Sequence, residues 1–594
     1  MPIDYKKIVE VARNEQPAEL VIHNGRIVNV FSGEIYPGGI AITGNRIAAT
    51  GDMGDYLDQA LKVIDAEECY ITPGLIDGHV HLESSMLSPN RFAELALAHG
   101  TTSIMTDLHE VAVVGGLEAV QEILENANES LLKIYFVIPS HVPFSPGLET
   151  TGSIIGPEEI STALNYPRVA GLSEIVVSSA LGGDERLWES MELVRSRGKL
   201  LHGHGPFTYG GDLAAFASLG IHTDHESFTA KDGIARLRAG IHLQIRHGSA
   251  AESIPEIIKV ITKDGLDSSN TSVITDDILA EDLYKKGYQD VNIRLLQEEG
   301  IDPMTAIQMV TINAAKAFRL EDEIGVLAPG RQADVVLVKD LVEFKPHTVL
   351  ASGVVVMEER KVVFNFPETQ PTQRQLNSIH INKTIHSEDI EKLASCSSGL
   401  HKVKVHVLNT PQEIPVPTLE VMEVSVKFDA AQPDPKQDIA AISVVERHHS
   451  TGNIALAFIK GFQLKHGAMA SSVAHDHHNI IAIGTNYTDI AYAINRVAEL
   501  KGGQVVVENS NVLSEIALPI LGLMSPDSVD KTCEGLRELT KAARDIGCQM
   551  RWPHMFMSFM SCSGGPGFSI TDMGLLDGYK QVFIPAVIEN PKLD

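Results

Sequence analysis

The chain is poor in cysteine and in basic residues, and it lacks any long apolar run. Its five cysteines (Cys69, Cys396, Cys533, Cys548 and Cys562) are scattered through 594 residues, and none forms a Cys-x-x-Cys pair. That spacing argues against a disulfide framework and against a thiolate metal site, and it suits a reducing compartment. Lys and Arg number 48 against 77 Asp and Glu, for a formal net charge of −29. Such a surface repels phosphate backbones and anionic membranes, so neither nucleic acid nor membrane is an expected partner, and the acidic excess reads as solubility. No apolar run is long enough to span a bilayer. The opening Met1-Pro-Ile-Asp-Tyr-Lys-Lys7 has no basic-then-apolar signal, so the expected location is cytoplasmic.

What the chain does have is length, apolar content and histidine. At 594 residues and 44% hydrophobic composition, two or three well-cored domains are expected. Residues 1–15 read as a short helix, short alternating runs separated by Gly and Asn fill 20–49, and the same texture returns near 333–364. Both stretches predict small antiparallel strands. They pair best as one β-sandwich built from the two flanks, 1–72 and 322–367. Between them, eight apolar strand-like runs alternate with helical stretches, at 75–81, 101–107, 133–139, 169–174, 199–204, 220–225, 241–246 and 272–276. This predicts an α/β fold with a (β/α)8 barrel over 73–321, whose chemistry sits at the C-terminal ends of the strands. A polar stretch, Glu368 to Asn377, reads as a linker, and 380–594 as a separate C-terminal α/β domain.

The strand ends carry metal-type ligands. Strand one closes on His79-Val-His81 and Glu83, strand two on Asp107, His109 and Glu110, and strand four on Glu174. Strand five gives His204, strand six His225 and Glu226, strand seven Arg246, and strand eight Asp276 and Asp277. Two residues apart on a strand, His79 and His81 face the same way. Imidazoles and carboxylates without thiolates suit Mn, Fe, Co or Zn. The ligands outnumber the needs of one ion. Two ions would use them well, with His79, His81 and Asp276 on one, His204 and His225 on the other, and Glu174 between. A metal-held water becomes hydroxide near neutral pH and attacks an electrophilic carbon. Asp276 is then the residue that orients it and takes its proton, and Glu110 is the candidate acid for the leaving group. Glu83, His109, Glu226, Arg246 and Asp277 are candidates to line the substrate pocket.

The pattern Pro73-Gly-Leu-Ile-Asp-Gly-His-Val-His81, the flanking β strands and the return through Ala328-Pro-Gly-Arg-Gln-Ala-Asp334 resemble the amidohydrolase superfamily. Further motifs narrow the resemblance to adenine deaminases of bacterial type: Glu83-Ser-Ser-Met86, Thr106-Asp-Leu-His-Glu110, Gly203-His-Gly-Pro206, Asp224-His-Glu226 and Thr275-Asp-Asp277. In the last domain, Gly467 to Asn479 and Leu518 to Ser525 are similar to that family's C-terminal domain. The resemblance implies two divalent transition-metal ions, Mn or Fe, on His79, His81, Glu174, His204, His225 and Asp276. It also implies hydroxide attack at purine C6, giving hypoxanthine and ammonia in purine salvage. Arg246-His-Gly-Ser249 and Gly287-Tyr288-Gln-Asp290 depart from the family's usual text, which points to His247 and Tyr288 as places where specificity changes. The alternative is an amidohydrolase of another purine or cyclic amide or amidine. A non-catalytic relative would lack ligands, and all six are present. His475-Asp-His-His-Asn479 resembles no trusted ligand set and is expected over the barrel mouth or at a domain interface. Trp552 and Met555-Phe-Met-Ser-Phe-Met560 are expected in the core. A small purine is the expected partner, and a homodimer the expected assembly.

Overall fold

The protein was analysed as a computed structural model that describes residues 3–410, 416–565 and 567–588. Its centre is a parallel barrel. The strands are β1 (Leu75–Asp77 with the rim piece Val80–His81), β2 (Thr101–Thr106), β3 (Lys133–Pro139), β4 (Val169–Val176), β5 (Leu200–His204), β6 (Ile221–Asp224), β7 (His242–Arg246) and β8 (Thr271–Ile274 with the rim piece Asp276–Asp277). Neighbours pair in sequence order from β1 to β8. The two rim pieces then pair in parallel, Asp276 with Val80 and Asp277 with His81, which closes the ring. β2, β3 and β4 are buried along their whole length, as strands covered by helices on one face and barrel interior on the other must be. The lower interior is plugged by Ile76, Met105, Val137, Phe318 and the alanines of helix Ile312–Ala317. It is a packed core, so only the upper mouth is open to chemistry.

The two flanks pair into one nine-stranded sheet. Its seam is the antiparallel pairing of Tyr70–Pro73 with Val335–Val338. Residues from both flanks, among them Ile22, Ile40, Ile71, Val335 and Leu350, fill a shared core. Asp334, from the return motif, accepts from the buried Lys133 Nζ at 2.6 Å and from Ser352 N at 2.9 Å. The pair locks the flanking sheet onto β3, and with both charges out of water, losing either partner leaves the other stranded.

The C-terminal region forms a ten-stranded sheet packed by helices Tyr487–Glu499 and Val529–Asp545, followed by a three-stranded sheet. The stretch that leads to it is pinned to the barrel. Thr369 Oγ1 donates to Ser88 Oγ at 2.9 Å, Thr372 Oγ1 donates to Glu122 Oε2 at 2.8 Å, and Gln375 is fully buried. The polar composition read as a linker therefore reflects hydrogen bonding across a domain contact. Met555, Met557 and Met560 are buried, in keeping with a core role, whereas Phe559 between them reaches the barrel mouth. Among the described residues no helix is long and apolar enough to cross a membrane.

Candidate metal centre and active site

The six candidate ligands come from five strand ends and converge. Glu174 stands in the middle. Its Oε1 lies 3.2 Å from His79 Nε2 and 3.5 Å from His225 Nε2, while its Oε2 lies 2.6 Å from His204 Nδ1. Asp276 faces it across the mouth, with Oδ1 3.7 Å from His81 Nε2 and Oδ2 3.7 Å from His225 Nε2. Three overlapping sets each bring their ligand atoms within 4.8 Å of one another: His79–His81–Glu174, Glu174–His204–His225 and His79–His225–Asp276.

Backbone irregularities aim the two central carboxylates. The pairing of β4 with β5 slips between Leu172 and Ile175, and Glu174 sits in that bulge with φ of 54°. A bulge re-aims a side chain. Asp276 opens the rim piece of β8 with φ of 61°, its N–H donating to the His79 carbonyl at 3.0 Å. Left-handed backbone at a non-glycine residue costs on the order of 1 kcal/mol or more and persists where the surroundings impose it. Here both instances carry ligands. Gly248 serves the same rim: a Cβ there would meet the Thr275 carbonyl oxygen at 2.2 Å, so only glycine lets the loop after β7 lie against β8.

The donor set fits divalent ions. His79 Nε2, Glu174 Oε1 and His204 Nδ1 are buried and make no well-formed hydrogen bond, although they crowd together. Buried polar atoms are seldom left so without a reason, and a shared cation is the reason that hard and borderline N/O donors supply. Asp107 supports the set from behind. Its Oδ1 lies 3.0 Å from His81 Nδ1, which fixes the ring with Nε2 toward the mouth. Burial opposes the charge of Glu174, yet His204 and His225 outweigh it and hold the carboxyl well below its usual range. Asp276 is likewise held low against burial, chiefly by Arg246 and His81. Arg246 Nη1 clamps it at 2.9 Å and reaches Glu226 Oε1 at 2.8 Å. Beneath these loops the fully buried Arg236 donates to the Thr208 carbonyl at 3.1 Å and to the Gly205 carbonyl. It ties the loop after β5 to the helix after β6.

A cavity of about 210 Å³ opens above the ligands. That is below the roughly 300–1,000 Å³ of pockets for drug-sized molecules, so it suits a small ligand. His109, Glu110, Glu226, Arg246 and Asp277 line it with His81, Glu174, His204, His225 and Asp276. Phe144, Phe207, Phe228 and Phe559 add apolar faces, Phe207 and Phe228 stacking at 5.1 Å. Glu83 differs from its expected place. It is buried behind the wall beside Glu110, where burial and that neighbouring carboxylate push its carboxyl well up. His247 and Tyr288 differ as well. They line a neighbouring cavity, and the buried Tyr288 packs its ring on Phe92 at 5.8 Å. The departures they mark lie outside the main cavity.

Sequence reasoning left three contributors unassigned. Asp107 was visible at a strand end but carried no role. The phenylalanines gave no signal, because aromatic residues in loops read as ordinary packing. His475 lies over the mouth, one of the two places expected for its histidine-rich turn, but its contact with a barrel carboxylate depends on how two distant regions dock. Its Nε2 lies 2.9 Å from Glu110 Oε1.

Residues 70–356 match the amidohydrolase family model, and residues 416–581 match that of the adenine deaminase C-terminal domain. Barrel, flanking sheet and mouth-facing ligands together define the class, a barrel hydrolase of the amidohydrolase family with a divalent-metal site. The chain is 36% identical over 575 residues to adenine deaminase of Moorella thermoacetica, covering 96% of each protein. It is 37% identical over 601 residues to adenine deaminase 1 of Carboxydothermus hydrogenoformans, covering 98% of each. A solved β-aspartyl dipeptidase from Fervidobacterium islandicum is 18% identical, with a TM-score of 0.46 over 59% of this chain and all of that one. The chain belongs to the adenine deaminase family.

Proposed function

We propose that the protein hydrolyses adenine to hypoxanthine and ammonia. The observation that carries this reading is the convergence of His79, His81, Glu174, His204, His225 and Asp276 beneath a small cavity, in a chain that matches adenine deaminases over nearly its whole length. In this reading those six residues would hold two divalent ions, Mn or Fe. Bound there, such ions make water a nucleophile near neutral pH and stabilise negative charge that develops on the substrate.

The chain's own residues do the rest. Asp276 is held ionised by Arg246 and is placed to take a proton from the water that attacks purine C6. Glu110, which Ser84 links to Asp277, delivers a proton to the departing amine. The Phe207–Phe228 pair and Phe144 offer flat apolar surfaces to a planar base, while His109, Glu226 and Asp277 present polar edges to its ring nitrogens. The roof from the C-terminal domain limits access of bulk water. The five scattered cysteines and the lack of any apolar spanning segment in the sequence favour a cytoplasmic enzyme.

The test is a rate assay over a panel of purines with Mn- or Fe-loaded protein. Adenine is expected to yield hypoxanthine and ammonia in equal amounts, and to do so faster than the other purines. A better substrate elsewhere in the panel would transfer the reading to that base.

A further inference from the structure

His475 is a C-terminal-domain residue 365 positions from Glu110, yet it faces it inside the cavity. Its surroundings fix the placement of its protons. Nδ1 lies 3.0 Å from Ser558 Oγ, and the Ser558 hydroxyl gives its own hydrogen to the Met555 carbonyl at 2.7 Å. Ser558 Oγ therefore meets the ring as an acceptor, and Nδ1 carries a hydrogen. Nε2 faces a carboxylate oxygen, so one further proton lies between Nε2 and Glu110 Oε1, whichever of the two holds it. The ring is also fixed in orientation. It stacks on Phe559 at 5.1 Å and 25°, and the His475 carbonyl accepts from Ser561 Oγ at 2.6 Å.

Glu110 is held from the other side by Ser84, whose Oγ lies 3.3 Å away and also reaches Asp277 Oδ1 at 2.6 Å. Its Oε2 is buried without a partner. Thus one oxygen is pinned between His475 and Ser84, and the buried Glu83 carboxyl stands against the same group.

We propose that His475 is a positioning and proton-returning residue of the barrel's active site, which makes the C-terminal domain part of the catalytic machinery. The inference rests on the deaminase reading and on the role given there to Glu110. The one proton between His475 Nε2 and Glu110 Oε1 passes through Glu110 to the amine nitrogen as the C6–N bond breaks and ammonia leaves, so that Glu110 is left as a carboxylate and the ring is left neutral with its Nδ1 hydrogen kept. The proton that Asp276 took from the attacking water restores the pair, so no proton is gained or lost over a cycle. Other charges face this pair. Glu83, Asp277, Asp476, His81 and His478 surround it, so the pH profile belongs to the group and is read by difference between variants.

The experiment uses the full-length, metal-loaded chain with adenine, comparing wild type, His475→Ala and His475→Gln. Removing a group of this kind costs roughly 100-fold or more in kcat. We expect that loss in His475→Ala, with KM changed less than about threefold and metal content unchanged, since ligand binding to the base is not its task. Imidazole added to the assay should restore part of kcat to His475→Ala, with a pH dependence that follows the added imidazole. His475→Gln keeps volume and a donor but has no proton to return, so it should stay well below wild type; it also serves if His475→Ala does not fold. Wild-type rates in His475→Gln would remove the proton-returning role, and an unimpaired His475→Ala would overturn the inference altogether. A wild type inactive on adenine would overturn the proposed reaction, and this step with it.

Discussion

Two clusters of imidazoles and carboxylates meet at the barrel mouth, and they are built on opposite plans. In the first, His79, His81, His204 and His225 outnumber Glu174 and Asp276, and their facing atoms crowd together without satisfying one another. In the second, the carboxylates Glu83, Glu110 and Asp277 outnumber His475; Ser84 bridges Glu110 and Asp277 with hydrogen bonds and His475 meets Glu110, while Glu83 is buried beside them. The first set is short of positive charge and well supplied with open donor atoms, which is what a cation requires. The second is internally bonded and short of protons. Burial pushes Glu83 up, whereas His475, with its hydrogen bond and charge, holds Glu110 well down despite burial. Environments that drive neighbouring carboxyls apart separate a proton store from a proton donor or acceptor. In the roles proposed here the same residue types serve ligation on one side and proton transfer on the other, and arrangement rather than composition separates them.

Substitutions that exchange these plans test the comparison most severely. Asp276→Asn keeps the shape of the side chain but removes the charge clamped by Arg246, and kcat should fall by roughly 10³-fold, measured as ammonia release. Glu110→Gln belongs to the second cluster. It should cost roughly 10²-fold in kcat while bound metal, measured by elemental analysis, stays at the wild-type level; loss of metal would merge the two clusters into one. Asp107→Asn touches the first cluster only from behind. It should weaken metal affinity by about 10- to 100-fold, seen by chelator competition, since it frees the His81 ring.

Smaller effects sharpen the boundary of the site. Glu149 lies on the barrel side of the domain contact, with Ser563 Oγ donating to it at 2.5 Å. Burial, aided by the charge of Asp476, pushes its carboxyl up to about 8. From the ordinary glutamate range near 4.5 up to about 8, the unfolded chain has released this proton and the folded chain has not, so stability should decline across that window as pH rises. Glu149→Gln should flatten that decline in thermal-unfolding midpoints. The smallest change is expected for His247→Ala. It lines the neighbouring cavity, and kcat/KM for adenine should stay within about threefold of wild type, as for a substitution that touches neither transition state nor substrate.

Much of this molecule can be read before its structure is known, and the reasons are local. All eight barrel strands fall where apolar runs predict them, because strands buried on both faces leave a continuous apolar signature. The candidate ligands stand at strand ends, so locating the strands also locates them. What escapes the sequence depends on long-range docking or on backbone detail. The bulge that aims Glu174 leaves no trace in residue type, and the contact of His475 with Glu110 joins residues 365 positions apart, although the turn itself is expected over the mouth or at a domain interface. Tyr288 shows the opposite error. It follows strand eight, so it reads as part of the mouth, but its ring turns into the packing around Phe92. Glu83 likewise reads as a wall residue because it follows His81, yet the single 3-10 turn Leu82–Ser85 buries it.

The central claim is that the imidazole-rich cluster holds the metal used to deaminate adenine. The most direct measurement is bound Mn or Fe and hypoxanthine formation, followed together in wild type and in His79→Ala. The account predicts close to two ions per chain and adenine turnover in wild type, with both markedly reduced in the variant. Full activity in a His79→Ala protein stripped of metal, or wild type that binds metal and leaves adenine unchanged, would contradict it.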